Sequence, residues 1–236
     1  MNPMTGPRSL VLVHSPLVGR LTWESVGVHL RHRGHFVVVP SLADVADEGP
    51  PYHRRFAEAV AEAVAKAGCD TPAVLVGHSG AGALLPEIAE LLGPDAHAAV
   101  FVDALMPHQE TSWFDTAPPE LGRKLVRMTR RGLLPRWHRW FPRKAVVNLL
   151  PDRELRRRFV KELPRLPLAY FQEQAPAARA PARSGYVRLS AAYDGAADEA
   201  ARLGWPVWRL DADHLAMLTR PRLVADAVAE AVAALE

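Results

Sequence analysis

The sequence predicts an α/β fold: a mostly parallel six-stranded sheet with helices on both faces and an inserted helical cap. Short apolar segments alternate with amphipathic helical patterns up to residue 104 and again from residue 182. Each strand segment is apolar along its length, as in parallel strands that are covered on both faces. Residues 105–181 lose this alternation and are rich in aromatic, proline and arginine residues. We therefore predict an α/β core of residues 1–104 and 182–236, with a helical cap over residues 105–181.

The predicted elements follow from apolar spacing and from glycine and proline positions. The strands are predicted at residues 9–13, 35–39, 73–76, 98–102, 186–190 and 206–210, and the core helices at residues 23–33, 52–67, 84–92, 195–203 and 220–235. Phe56, Val60 and Val64 illustrate the helical spacing, since they share one face. Pro86 has no N–H to bond the carbonyl of Gly82, so a kink is expected there. Helical pieces over residues 120–131 and 152–163 are predicted in the cap.

Composition excludes several classes of protein. The chain has 236 residues, a net charge of +3 and a single cysteine, so intrachain disulfides and cysteine metal clusters are excluded. No apolar run approaches the roughly 20 residues of a membrane span. Residues 1–8 lack the apolar stretch of a signal peptide, and we expect a cytoplasmic protein. So mild a positive charge does not indicate nucleic-acid binding. The oligomeric state is not indicated.

The most informative motif lies at the end of the third predicted strand. The segment 77–82 reads Gly-His-Ser-Gly-Ala-Gly, and it is followed by an apolar helical pattern. Strand, sharp turn, serine and helix form the context of a nucleophile elbow, which lifts the serine hydroxyl above the sheet edge. Ala81 stands where the G-x-S-x-G pattern has its last glycine, and alanine is small enough for the turn. An ordinary turn with a serine N-cap is the alternative interpretation.

A serine nucleophile needs a base, and His214 is the best placed of the ten histidines. It follows the sixth predicted strand, and loops at the carboxyl ends of parallel strands converge above the sheet. His14 also follows a strand, but it directly precedes a loop for which a structural role is expected. The remaining histidines fall on helices, in a strand or in the cap.

Taken together, these features resemble the α/β-hydrolase superfamily, and especially its compact branch of plant methylesterases and hydroxynitrile lyases with their bacterial esterase relatives. The resemblance covers almost the whole chain, including the first-strand loop 14–19, the elbow, the cap and the late histidine. It implies the chain order serine, acid, histidine. It also implies an acid after the strand that precedes the histidine's strand, where Asp194 lies. Asp103, at the end of the fourth strand, is the other location in the family; position favours Asp194.

The resemblance further implies an oxyanion hole of two backbone N–H groups. Gly80, which follows the nucleophile, supplies the first. The second normally comes from the first-strand loop, but here that loop carries Pro16, which has no N–H. The Leu17 N–H and the Ser15 hydroxyl are the two substitutes.

We therefore predict a serine hydrolase that cleaves a small-molecule carboxylic ester or thioester, with Ser79 as nucleophile and no metal or organic cofactor. The alternative is a lyase, cyclase or acyltransferase on the same fold, and less favoured is a receptor-like ligand-binding protein. If the arginines of the cap line the entrance, the substrate carries a carboxylate or phosphate; if they face water, its charge is open.

Overall fold

The computed structural model describes residues 8–69 and 71–235. Its strands are β1 (Ser9–Val13), β2 (Phe36–Val38), β3 (Ala73–His78), β4 (Ala96–Val102), β5 (Ser184–Arg188) and β6 (Val207–Arg209). They form one sheet in the order β2-β1-β3-β4-β5-β6, and every neighbouring pair is parallel. The predicted α/β fold with a six-stranded parallel sheet is thereby confirmed.

Eleven α-helices connect or flank the strands within the described residues. They are α1 (Leu21–Arg31), α2 (Tyr52–Lys66), α3 (Leu85–Leu92), α4 (Trp113–Thr116), α5 (Pro119–Met128), α6 (Arg143–Leu149), α7 (Arg153–Glu162), α8 (Leu168–Gln172), α9 (Asp194–Arg202), α10 (Ala216–Thr219) and α11 (Pro221–Ala234). Helices α4 to α8 all fall between β4 and β5, in the segment that lost the strand and helix alternation. The division into a core and a cap domain stays a prediction; below, "cap segment" means residues 105–181.

The central strands bury side chains on both faces of the sheet. Along β1, Leu10 and Leu12 join a buried cluster with α1 and α11, whereas Val11 and Val13 join a second cluster with α2, α3 and α9. Successive residues of a strand point to opposite faces, so an all-apolar strand can only be satisfied by helices on both sides. The continuous apolar segments of the sequence have this physical origin.

The expected kink at Pro86 is wrong. The turn after β3 forms a short 3₁₀ helix, Ser79–Ala83, and α3 starts afresh at Leu85. Pro86 therefore lies in the first turn of α3, where a backbone N–H has no partner inside the helix. The missing N–H costs nothing at this position, and no bend within the helix is needed.

One contact ties the cap segment to the core beside the first-strand loop. The carboxylate of Glu162, at the end of α7, accepts a hydrogen bond of 2.9 Å from the backbone N–H of Leu21, the first residue of α1. Gly19 makes room for it, because a Cβ at this position would collide with that carboxylate. A negative charge at a helix N-terminus also interacts favourably with the helix dipole. The cap segment thus supplies an N-terminal cap for a core helix.

Two broader properties concern the described part of the chain. None of its helices combines the length and the apolar character that crossing a membrane requires. In residues 8–69 and 71–235, no group of three or more histidine, cysteine, aspartate or glutamate side chains is arranged to hold a metal ion. Residues 1–7, on which the expectation about a signal peptide chiefly rests, lie outside the described residues.

Candidate active site

The strand order locates the candidate site at one edge of the sheet. The chain passes from β1 to β2 on one side and then returns to β3 on the other side of β1. In open α/β sheets, such a reversal leaves a crevice at the carboxyl ends of the strands. The loop after β1, residues 14–20, and the turn after β3 flank this crevice. Ser79 is the first residue of that turn.

Ser79 has the strained backbone of a nucleophile elbow. Its φ is 56°, in the left-handed region that residues other than glycine seldom adopt. Its backbone N–H donates to the carbonyl oxygen of Asp103 over 3.2 Å, and its own carbonyl accepts from the N–H of Leu105 over 2.9 Å. The loop after β4 therefore holds the serine in this conformation through two backbone hydrogen bonds.

Small residues around Ser79 are required by close packing. A Cβ at Gly77 would lie 2.9 Å from the Leu85 side chain, and a Cβ at Gly82 would overlap the carbonyl oxygen of Leu105. Ala81, between them, is fully buried without such a conflict. The departure from G-x-S-x-G is thus explained, since the close approach to the loop after β4 occurs at Gly82 and not at Ala81.

His214 is oriented by Asp103. The Nδ1 atom of His214 lies 2.9 Å from Oδ2 of Asp103, which is completely buried, while the His214 side chain is 17% exposed. Because a carboxylate only accepts hydrogen bonds, Nδ1 carries the proton and Nε2 is left as the acceptor. This is the tautomer that a general base needs.

The Asp103 carboxylate is fully satisfied by hydrogen bonds from the loop after β5. Oδ1 accepts from the backbone N–H groups of Leu189 over 2.7 Å and Ser190 over 3.0 Å, and Oδ2 accepts from the Ser190 hydroxyl over 2.6 Å. Burial raises the pKa of Asp103, but the hydrogen bonds from His214 and Ser190 outweigh it and hold the pKa below its ordinary value. A charged carboxylate is thus kept next to His214.

The structure does not place Asp194 beside His214, contrary to the sequence prediction. Asp194 begins α9, and its Oδ1 lies 2.8 Å from Nε of Arg188 and 3.5 Å from Nη1 of Arg209. A carboxylate at this position is favoured by the helix N-terminus and by the two guanidinium groups. Asp103, and not Asp194, is therefore the carboxylate that contacts His214.

Two further side chains contact His214 and were not identified from the sequence as site residues. The ring of His78 lies 4.5 Å from the His214 ring, and its Nε2 donates to the His214 carbonyl oxygen over 3.0 Å. The ring of Tyr193 stacks on the His214 ring, with 5.0 Å between the ring centroids and an interplanar angle of 4°. Burial, then the charge of His214, holds the pKa of His78 well below its ordinary value, so His78 is neutral.

Tyr193 also contacts the serine. Its hydroxyl lies 3.5 Å from Oγ of Ser79. Burial raises the pKa of Tyr193 to about 12, so the phenol keeps its proton and can donate it in a hydrogen bond. No motif marks this residue, but it lies one position before Asp194, in the loop that the sequence already singled out.

In the first-strand loop, Ser15 and not Leu17 faces the elbow. The Ser15 hydroxyl lies against Gly80, 2.9 Å from the point that a Cβ there would occupy. The N–H of Leu17 donates to Oγ of Ser15 over 3.2 Å, so it is already engaged. The Ser15 hydroxyl accepts that bond and retains its own proton as a donor. The geometry thus favours Ser15 over Leu17 as the partner of the Gly80 N–H.

His14 holds this loop in place. Its Nδ1 lies 2.8 Å from the Ser15 carbonyl oxygen, and its Nε2 accepts from the N–H of Leu42 over 3.2 Å. Burial, followed by the charge of Arg20, lowers the pKa of His14 to about 4. A neutral ring with one donor and one acceptor suits these two partners, in keeping with the structural role expected for His14.

Two cavities lie near the cap segment, and neither is lined by Ser79, His214 or Asp103. One, of about 640 Å³, lies between the first-strand loop and the cap segment. Its lining includes four basic and four acidic side chains: Arg20, Arg136, Lys161, Arg165, Glu24, Asp44, Asp47 and Glu162. The other, of about 660 Å³, is lined only by residues of the cap segment.

Comparison with known proteins agrees with this architecture. A family model described as "Alpha/beta hydrolase family" matches residues 10–227. A search of curated proteins found no match. An extracellular alpha/beta-hydrolase from a Paenibacillus species, reported to share structural and functional homology with tobacco salicylic acid binding protein 2, superposes with a TM-score of 0.76 at 19% identity, covering 95% of this chain and 99% of that one.

Two other solved structures are similar in fold. Polyneuridine aldehyde esterase superposes with a TM-score of 0.68 at 19% identity, over 95% of this chain and 98% of that one. A variant of tomato methylketone synthase I, in complex with beta-ketoheptanoate, gives a TM-score of 0.72 at 15% identity, over 98% of this chain and 100% of that one. The expected superfamily is thus confirmed, and proteins named as esterase and as synthase share this fold.

Proposed function

Because the chain belongs to the alpha/beta hydrolase family of enzymes, we propose that it is a serine hydrolase that cleaves a small-molecule carboxylic ester or thioester. The observation that carries the proposal is the pair of His214 Nδ1 and Asp103 Oδ2, 2.9 Å apart, at the strand ends where Ser79 adopts its strained turn. The three side chains follow three different strands, β3, β6 and β4, and their chemistry suits the roles of nucleophile, base and orienting acid.

The proposed reaction starts with attack of Ser79 Oγ on the substrate carbonyl carbon. His214 Nε2 accepts the serine proton, and the imidazolium that forms is stabilised by the charged Asp103. The neutral state of His78 matters here, since a second positive charge beside His214 would oppose this step. The serine hydroxyl must first turn from Tyr193 toward His214, and catalytic hydrogen bonds commonly tighten only when substrate binds.

His214 then returns the proton to the leaving oxygen or sulfur, which departs as an alcohol or thiol and leaves an acyl group on Ser79. Water, deprotonated by the same imidazole, releases the carboxylic acid and restores the serine. We assign the Gly80 N–H and the Ser15 hydroxyl to the oxyanion of both tetrahedral intermediates. This assignment rests on the position of Ser15 against Gly80.

A second candidate is non-hydrolytic chemistry on the same triad, such as a lyase, cyclase or acyl-transfer reaction. It is favoured by the hydrogen bond between Tyr193 and Ser79 and by Pro16, which removes one backbone donor of the usual oxyanion hole. Product analysis separates the two candidates, because hydrolysis incorporates one oxygen atom from water into the acid product.

An anionic substrate stays a prediction. The cavity beside the first-strand loop has as many acidic as basic side chains, so its net charge does not select an anion. We therefore propose a small-molecule ester or thioester without assigning it a charge.

A fluorophosphonate probe tests the proposal directly, since it labels an activated serine. We expect labelling at Ser79, loss of labelling in Ser79→Ala, and labelling slowed at least about a hundredfold in His214→Ala, the scale of general-base assistance. Ser25→Ala, at an exposed serine of α1 that lines neither cavity, is the matched control and should label normally. Full labelling of Ser79→Ala would refute the assignment of the nucleophile.

A further inference from the structure

The second cavity, of about 660 Å³, is built entirely by the cap segment and contains an unusual density of arginines. Five of them line it, and we call it the arginine groove: Arg139, Arg143, Arg153, Arg156 and Arg157. No acidic side chain belongs to its lining. Cations crowded into one concave surface repel one another, and the groove therefore has a positive potential that attracts anions.

Helix geometry turns these residues toward one space. On α7, the lining positions are 153, 156, 157 and 160, which share one face at the i, i+3, i+4, i+7 spacing. On α6, the lining positions are 143, 146 and 147, again at i, i+3 and i+4. The groove thus lies between matching faces of two helices, with an arginine at the start of each face.

Apart from His138, the rest of the lining is apolar. Phe141 and Val147, both in the groove, are 39% and 38% exposed, although large hydrophobic side chains usually avoid water. The Phe141 ring packs at 5.6 Å against the ring of Trp137. An apolar surface with cations around it matches a molecule that has an apolar body and a negatively charged end.

Three of the arginines are available to hold such an anion. Arg157 is paired with Glu154 through two bonds of 2.9 and 2.7 Å, and Arg156 donates to the backbone carbonyl of Pro151 over 3.1 Å. Within residues 8–69 and 71–235, Arg139, Arg143 and Arg153 make no ion pair with a carboxylate. Their guanidinium groups can each give a carboxylate or phosphate two parallel hydrogen bonds.

We propose that the arginine groove is a binding site for a single anionic amphiphile, meaning an alkyl chain that ends in a carboxylate or phosphate. The volume is that of a small-molecule site, which favours one ligand over a membrane surface. The triad residues do not line the groove, so the proposal is independent of the proposed hydrolase activity and adds a second site to it.

Calorimetric titration with dodecanoate below its micelle concentration tests the site, and dodecanoate has no ester bond that the proposed hydrolase activity could cleave. Dodecyltrimethylammonium has the same chain with the opposite charge, and butyrate has the charge without the chain. We expect dodecanoate to bind with one-to-one stoichiometry, and the other two to bind at least about tenfold more weakly. Equal binding of the cationic detergent would overturn the proposal.

Two variants locate the binding. The triple change Arg139→Gln, Arg143→Gln, Arg153→Gln is expected to weaken dodecanoate binding at least about tenfold. The matched control changes Arg123, Arg127 and Arg158 to glutamine, since these exposed arginines lie outside the groove and the net charge falls equally. Val147→Asp, a single change on the exposed part of the groove, should weaken binding as well.

A further measurement distinguishes binding to a lipid surface from binding of a single ligand molecule. Vesicles with phosphatidylglycerol, compared with neutral phosphatidylcholine vesicles, report binding to an anionic membrane. The proposal is supported if dodecanoate binds one-to-one, the triple variant of the groove arginines loses this binding, and the control triple variant keeps it. Equal loss in both triples, or binding to anionic vesicles without binding to monomeric dodecanoate or dodecyl phosphate, refutes it.

Discussion

The backbone N–H of Ser79 donates a 3.2 Å hydrogen bond to the carbonyl oxygen of Asp103, and both residues have a positive φ, 56° and 44°. The proposed nucleophile and the proposed acid therefore brace each other's strained turns at the ends of adjacent strands. Since the Asp103 side chain in turn contacts His214, a disturbance at Asp103 reaches the serine through the backbone and the base through the side chain.

The first prediction concerns the acid. Asp103→Asn should lower kcat by about four orders of magnitude, as a wrong histidine tautomer does in serine-protease triads. Asp194→Asn should retain most of the activity, because its contacts are with Arg188 and Arg209. Steady-state kinetics with an aryl ester compare the two, and an inactive Asp194→Asn beside an active Asp103→Asn would restore the sequence-based assignment.

The second prediction concerns the oxyanion. Ser15→Ala removes a hydroxyl that lies against Gly80, and we expect kcat to fall by about two to three orders of magnitude with little change in KM. Single-turnover acylation with an activated ester measures the effect on the chemical step. Ser25→Ala, at an exposed serine of α1 that lines neither cavity, controls for unspecific effects. An unchanged kcat in Ser15→Ala would remove Ser15 from the oxyanion hole.

The third prediction concerns Tyr193. Tyr193→Phe keeps the ring that stacks on His214 but removes the hydroxyl that lies 3.5 Å from Ser79. Loss of one hydrogen bond to a reacting group should lower kcat about tenfold to a hundredfold. Tyr193→Leu also removes the ring that stacks on His214, and we expect it to lower kcat/KM further than Tyr193→Phe does. If both variants behave alike, the stacked ring has no role of its own, and an unchanged kcat in Tyr193→Phe would leave the hydroxyl without one.

The fourth prediction concerns stability in acid. Burial, followed by the charge of His108, lowers the pKa of His53 from 6.5 to about 4. The unfolded chain therefore binds the proton first, and the contribution of neutral His53 is intact above pH 6.5 and is lost as the pH falls toward 4. The full shift corresponds to a free energy on the order of 3 kcal/mol.

His53→Phe should flatten this pH dependence, because a phenyl ring binds no proton. Among the described residues, Nδ1 of His53 has no hydrogen-bond partner that the change would remove. Urea unfolding at about pH 7.5 and about pH 5 gives the two free energies of unfolding. His32→Gln, at an exposed histidine, should leave the difference between them unchanged. An equal pH dependence in His53→Phe and the parent protein would contradict the explanation.

The sequence predicted the structure best where the backbone conformation restricts which side chains can be present. Strands covered on both faces, such as β1 and β4, are mostly apolar, and short apolar segments therefore located all six strands. The turn at Ser79 requires small neighbours. The acid was not predictable, because Asp103 and Asp194 both follow strands and only their hydrogen bonds distinguish them. In the loop after β5, Tyr193 is the residue that stacks on His214, and the next residue, Asp194, begins α9.

Other features depended on contacts that no local pattern contains. The Leu17 N–H is engaged by the Ser15 hydroxyl, and that hydroxyl lies against Gly80; neither contact could be predicted from the sequence. Whether Pro86 kinks a helix depends on where that helix begins. The position of the arginines follows from the placement of α6 and α7 on two sides of one groove. Three of these arginines have no carboxylate partner within residues 8–69 and 71–235.

The contact between Glu162 and the N-terminus of α1 sets a condition for exchanging the cap segment between homologous enzymes. A transplanted cap without an acceptor at this point would leave the Leu21 N–H uncapped beside the first-strand loop. A recipient with any side chain in place of Gly19 would reject the carboxylate. Residues 19 and 162 therefore have to be exchanged together, as one unit of a modular chimera, although 143 positions of sequence separate them.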